Sequence, residues 1–131
     1  MKINKLLVAF LLLAGGLTAC KSSRQTPETV AENFLRAYLT CDYEAAAQYC
    51  QPEAAAFLTD SQEELNTLPQ EIQEEMRRQA AGIQPSLLQV TEHGRDTVCI
   101  DFCLRLDSLH HADGQMLLTR NAEKEWRIQG W

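Results

Sequence analysis

Apolar residues recur at helical spacing through the first half of the chain and at strand spacing through the second. Val30, Phe34 and Tyr38 follow one another every four residues, with Ala31, Leu35 and Leu39 beside them. This is the broad apolar stripe of an amphipathic helix. Thr26-Pro27-Glu28 supplies its start: an N-cap hydroxyl, a proline at the first helical position and an acid at the positive end of the dipole. Glu32 and Arg36 are spaced for an i,i+4 ion pair on the exposed side, and the helix should stop near Thr40. Asp42 can cap a short second helix running to Tyr49, in which Ala45, Ala46 and Ala47 permit close approach to the first. Gln51-Pro52-Glu53 opens a third short segment, and Asp60 to Glu64 reads as another capped turn. Thr67-Leu68-Pro69-Gln70 has capping-box spacing and predicts a longer helix reaching Ala81, stopped by Gly82. Leu65, Leu68, Ile72, Met76 and Ala80 mark its expected buried side. Its charges, Glu71, Glu74 and Glu75 early and Arg77 and Arg78 late, match the helix dipole and read as a solvated face.

The period changes after Pro85. Val98, Ile100, Phe102, Leu104 and Leu106 alternate with Cys99, Asp101, Cys103 and Arg105, as in a strand with one buried face. Leu87, Leu88 and Val90 predict a strand before it, with a turn over His93 to Asp96. Asp113-Gly114 is a hairpin signal. Met116 to Arg120 and Trp126 to Gln129 read as two further strands joined around Asn121 to Lys124. Helices first and an antiparallel meander after them predict an α+β fold: N-terminal helices packed on a curved antiparallel sheet of about four strands.

The first twenty residues stand outside both patterns. Lys2 and Lys5 precede an uncharged, mostly apolar run of 12 residues, Leu6 to Leu17, too short for a membrane span of about 20 residues. A basic start, an apolar run and small residues make a secretory leader. Its end, LTAC, resembles the bacterial lipobox. That resemblance implies cleavage before Cys20, lipidation of Cys20 and anchoring by acyl chains. The expected organisation is a leader over 1–19, a lipidated cysteine and short tether over 20–25, and one domain over 26–131. Without the leader the chain carries 10 basic and 18 acidic side chains. Nucleic-acid binding needs a basic footprint, so that class is excluded. Charge would also repel anionic lipid, which leaves the membrane contact to the acyl chains. The absence of an acid after Cys20 favours the outer membrane, facing the periplasm.

The stretch TPETVAENFLRAYLTCDYEAAAQYCQPE is similar to the start of small bacterial lipoproteins with a nuclear-transport-factor-2-like (cystatin-like) cone, and KEWRIQGW resembles their last strand. The resemblance spans most of residues 26–131. It implies a pocket between the sheet and the first helices, for which Phe34, Tyr38, Ile100 and Phe102 are the candidate lining. It does not fix an activity, because the same cone serves enzymes, transport factors and dimerisation modules.

Candidate chemistry is sparse. Asp101 alternates with the apolar set of its strand and should point away from the interior, against a role as a catalytic base. Tyr38, Tyr43 and Tyr49 read as packing residues. Cys99 and Cys103 would lie on one face of a strand about 13 Å apart, too far to share a zinc ion or a disulfide. Cys41 and Cys50 flank the short second helix. An exported chain meets an oxidising compartment, so these four are candidates either for a helix-to-sheet disulfide or for buried thiols. His110 and His111 are adjacent on a strand and face opposite ways, and His93 stands alone in a turn. No HExxH, CxxC, glycine-rich phosphate loop or Ser-His-Asp order is present, and neither metal nor cofactor is expected. The reading is a membrane-anchored envelope lipoprotein whose domain binds a ligand, a protein partner or a second copy without catalysis. The alternative is a small-molecule hydrolase, dehydratase or isomerase on the same cone.

Overall fold

The computed structural model describes residues 25–131. The leader, Cys20 and all of the tether except Gln25 lie outside the described residues. Four helices precede four strands: α1 (Pro27–Leu39), α2 (Tyr43–Ala47), α3 (Pro52–Thr67), α4 (Gln70–Ala81), β1 (Gln84–Glu92), β2 (Thr97–Arg105), β3 (His111–Arg120) and β4 (Trp126–Gly130). The strands form one antiparallel sheet in sequence order. The architecture is therefore an α+β cone, with helices on a four-stranded antiparallel sheet.

α1 begins as its sequence dictates. Thr26 Oγ1 accepts a hydrogen bond from Thr29 N at 3.2 Å, and Pro27 fills the first turn. At the other end Cys41 N donates to Tyr38 O and Asp42 N to Ala37 O, both at 3.1 Å. This is a Schellman closure, with Cys41 in the left-handed position at φ 59°. Asp42 then caps α2 by accepting from Ala45 N at 3.1 Å, and Ala46 is fully buried. Gln62 of α3 adds a second cap, its Oε1 accepting from Tyr43 N at 2.9 Å. Glu32 and Arg36 form no ion pair; the salt bridges of the described residues lie elsewhere.

Helices α3 and α4 depart from the local sequence signals. Residues 52–67 form one helix rather than two short pieces: Ala54, Leu58 and Leu65 are buried along one side, and that burial outweighs the local turn signal of Asp60-Ser61. Thr67 does not open α4. Its hydroxyl donates back to Glu64 O at 2.6 Å, and Pro69 holds the N-cap position without a side-chain cap. Of the apolar side expected for α4, Leu65 is buried but belongs to α3; α4 itself buries no residue, and Leu68 and Ile72 are exposed.

The sheet follows the alternation of β2. Val98, Ile100 and Phe102 are buried against the helices, while Cys99 and Asp101 are half-buried on the opposite face. Fully burying an aliphatic or aromatic side chain contributes about 1.5–3 kcal/mol. Phe34, Leu58, Ile100, Met116, Leu118, Ile128 and Val30 together make the centre of the core. β2 ends at Arg105, so Leu106 sits exposed in the following turn. Asp113-Gly114 is no turn but the middle of β3; the reversal lies at residues 106–110. Gly114 leaves the space that the Phe102 ring occupies over it. The free edge of β4 is covered by residues 49–51: Ile128 N donates to Tyr49 O and Gln51 N to Ile128 O, both at 2.8 Å.

Candidate functional site

The residues expected to line a pocket fill the cone instead. Phe34 is 1% exposed, and its ring lies 5.8 Å from that of Tyr38 and 5.0 Å from that of Trp131. Ile100 is fully buried at the middle of β2. Phe102 covers Gly114 and reaches only a shallow depression beside Asp101 and Asp113. Tyr38 stands half-buried between Phe34, Tyr43 and Trp131.

A groove runs along the next side of α1. It spans about 430 Å³ between Glu32, Leu35, Arg36, Leu39 and Thr40 along and just after α1, Ala80 and Ala81 at the end of α4, and Ile83, Pro85, Ser86 and Leu87 around the start of β1. Its origin is local. α4 ends at Ala81 with Gly82 as its C-cap, and β1 starts at Gln84, so the helix end must lie beside the strand start. α4 then rests on α1 without burying a residue, and the gap remains. The second column of α1, Leu35 and Leu39, supplies the apolar wall. Glu32 and Arg36, unpaired with one another, supply opposite charges at the rim. The sequence signal for this wall was the width of the α1 stripe, two columns where one would cover a sheet. Ala80 was legible only as part of the apolar side of α4 and Leu87 only as a strand residue; nothing along the chain marked these two, Ile83 or Pro85 as groove lining.

The remaining candidates lie apart from the groove. Cys41, Cys50, Cys99 and Cys103 are free thiols. Cys41 and Cys50 stand at opposite ends of α2, and Cys99 and Cys103 on the outer face of β2. Burial pushes the Cys50 thiol up to about 12, only partly opposed by Arg127, and Cys50 Sγ donates to Ala46 O at 3.5 Å. Cys103 is raised by burial and by the neighbouring Asp113. Tyr43 is raised by burial and then by Cys41 and Tyr38. A raised thiol is a poor nucleophile. Asp101 faces Gln89 and Gln115 across the sheet. His110 Nδ1 lies 2.9 Å from Asp107 Oδ2 in the β2–β3 turn, and His111 Nε2 is 4.0 Å from Asp113. Among the described residues, no three His, Cys, Asp or Glu side chains converge as a metal site, no polar side chain is buried, and no helix is long and apolar enough to cross a membrane.

No protein-family model matches the chain, and no curated protein matches it. Among solved structures it is similar to a Campylobacter jejuni protein provisionally named an NTF2-like transpeptidase. The TM-score is 0.56 at 15% sequence identity, over 80% of this chain and 98% of that one. At this identity the likeness is one of fold. The helices, the four-stranded sheet and this superposition together give the chain a nuclear-transport-factor-2-like α+β cone.

Proposed function

We propose that the protein is a lipid-anchored envelope lipoprotein whose cone domain binds a small, largely apolar ligand in the α1–α4–β1 groove. The carrying observation is the groove itself: aliphatic walls from Leu35, Leu39, Ile83 and Leu87, the hydroxyls of Thr40 and Ser86, and one acid and one base, Glu32 and Arg36. Ligand sites are typically about 300–1,000 Å³, mostly apolar, with few polar groups. The filled interior beside it supports binding in the groove rather than deep in the cone. The LTAC stretch supports the anchor, with Cys20 carrying the acyl chains in the outer membrane.

Two measurements test the reading. Intact mass of the protein extracted from its native bacterial membranes should equal residues 20–131 plus diacylglyceryl and acyl groups; an unmodified chain would remove the anchor. The fluorescence of 1-anilinonaphthalene-8-sulfonate should rise on the full chain and fall back when Ala80→Phe fills the groove. An equal response from both would remove the groove as the ligand site.

The name of the Campylobacter jejuni protein suggests the rival, an acyl-transfer enzyme. Within the groove that chemistry would have to use Ser86 or Thr40 as nucleophile and Glu32 as base. Turnover of any acyl substrate that is lost in Ser86→Ala or Thr40→Val, with the probe still bound, would favour it.

A further inference from the structure

A second surface lies on the other side of α1, away from the groove. Trp131, just after β4, packs against three rings: Phe34 at 5.0 Å, Tyr38 at 5.9 Å and Phe57 of α3 at 6.1 Å between centroids. It is nevertheless 42% exposed, and Phe57 is 60% exposed. The indole is thus held by buried Phe34 and half-buried Tyr38 while part of it faces solvent. Aromatic side chains are favoured anchors at protein interfaces, and a ring already held in place loses little conformational freedom on binding.

The helix that carries Phe57 has charge of one sign. α3 carries four carboxylates and no Lys or Arg. Glu53, Asp60 and Glu64 lie at i−4, i+3 and i+7 from Phe57, on the same face of the helix, and all three are exposed. We propose that Trp131 and Phe57, with these three carboxylates, form a docking site for a basic segment of a partner protein, in which an arginine side chain stacks on the indole. A guanidinium plane suits both elements of the site: it stacks on an aromatic face and pairs with carboxylates in one geometry. An ammonium lacks the plane. Anionic lipid and nucleic acid are repelled by the acids, and a second copy would set the same carboxylates against one another.

The test uses the full chain in detergent, labelled with 5-fluorotryptophan, so that Trp126 and Trp131 give separate fluorine resonances, assigned with Trp126→Phe. Trp126 lies under Arg120, 4.7 Å from ring centroid to guanidinium carbon, and serves as the internal control. Hexa-arginine should move the Trp131 resonance saturably and leave Trp126 in place. Phe57→Ala, at an exposed position, should weaken this binding about fivefold, and joint Glu53→Gln, Asp60→Asn, Glu64→Gln should remove most of its salt dependence. Equal binding of hexa-lysine would overturn the proposal by showing charge alone. So would movement of both indoles or neither, or an unchanged affinity in Phe57→Ala. A Trp131 resonance that moves with protein concentration in the absence of peptide would assign the face to a second copy and equally overturn it. None of these outcomes depends on the groove.

Discussion

Phe102 and Gly114 face each other across the β2–β3 pair, and the phenyl ring occupies the space a side chain at 114 would need. A Cβ on Gly114 would stand 2.6 Å from Phe102 Cζ and 3.0 Å from Cε1. The ring must move for any other residue to fit. Gly114→Ala should therefore lose about 1–3 kcal/mol of stability in urea unfolding, the range for forcing atoms into a packed site. In a Phe102→Leu background the same change should cost clearly less, because the two sites share one space.

Cys41 holds the left-handed position of the α1 closure, where glycine is the usual occupant. The conformation costs an L-residue about 1–2 kcal/mol, and β-branching makes it worse. Cys41→Val should destabilise by about 2 kcal/mol. Cys41→Gly should stay within about 1 kcal/mol of the parent, relief of the backbone offsetting the greater freedom of glycine in the unfolded chain. Paired denaturation curves of the two variants check the order.

With its pKa pushed up to about 12, Cys50 holds a thiolate fraction on the order of 10⁻⁴ at pH 8. Cys50 should resist iodoacetamide until the fold opens, and Cys103, buried and raised, should resist with it. Cys99, half-buried on the outer sheet face, should be alkylated first. Peptide mapping by mass spectrometry after timed labelling gives the order.

Asp107 organises the β2–β3 turn. Its Oδ1 accepts from Leu109 N and His110 N, both at 2.8 Å, and its carboxylate pairs with the His110 ring. The hydrogen bond from His110, then those from the two backbone amides, hold its carboxyl below the ordinary 3.8. A depressed acid makes the folded state the poorer proton binder. Its stabilising effect is present above pH 3.8 and is lost as pH falls through the lower folded value. Amide exchange at Leu109 and His110, compared at equal intrinsic rate, should speed up in that acid window, and Asp107→Ala should show the faster exchange at all pH values.

Much of the fold was legible because it rests on short-range periodicity. The Thr26 cap, the every-fourth-residue stripe of α1, the Asp42 cap and the alternation of β2 each state a local geometry and the face to be buried. Where local signals misled, a distant contact had outweighed them. Asp60-Ser61 could have broken the chain, but Leu58 and Leu65 are buried on the same side of α3 and carry the helix through. Asp113-Gly114 has turn chemistry, but the glycine serves the ring of Phe102 from the neighbouring strand.

The helix-then-sheet order, the inward face of β2 and the net acidity are thus written along the chain, because periodicity is a relation between near neighbours and composition needs no fold at all. Packing between distant elements fixed the rest. α4 leaves a groove beside Leu35 and Leu39 because it reaches α1 without burying a residue. Phe34 and Ile100 fill the cone because elements far apart in sequence close over them. Trp131, an isolated residue after the last strand, meets Phe34, Tyr38 and Phe57 only once the sheet carries it back to the helices. Contacts between residues so far apart depend on how whole elements pack, which no local pattern encodes.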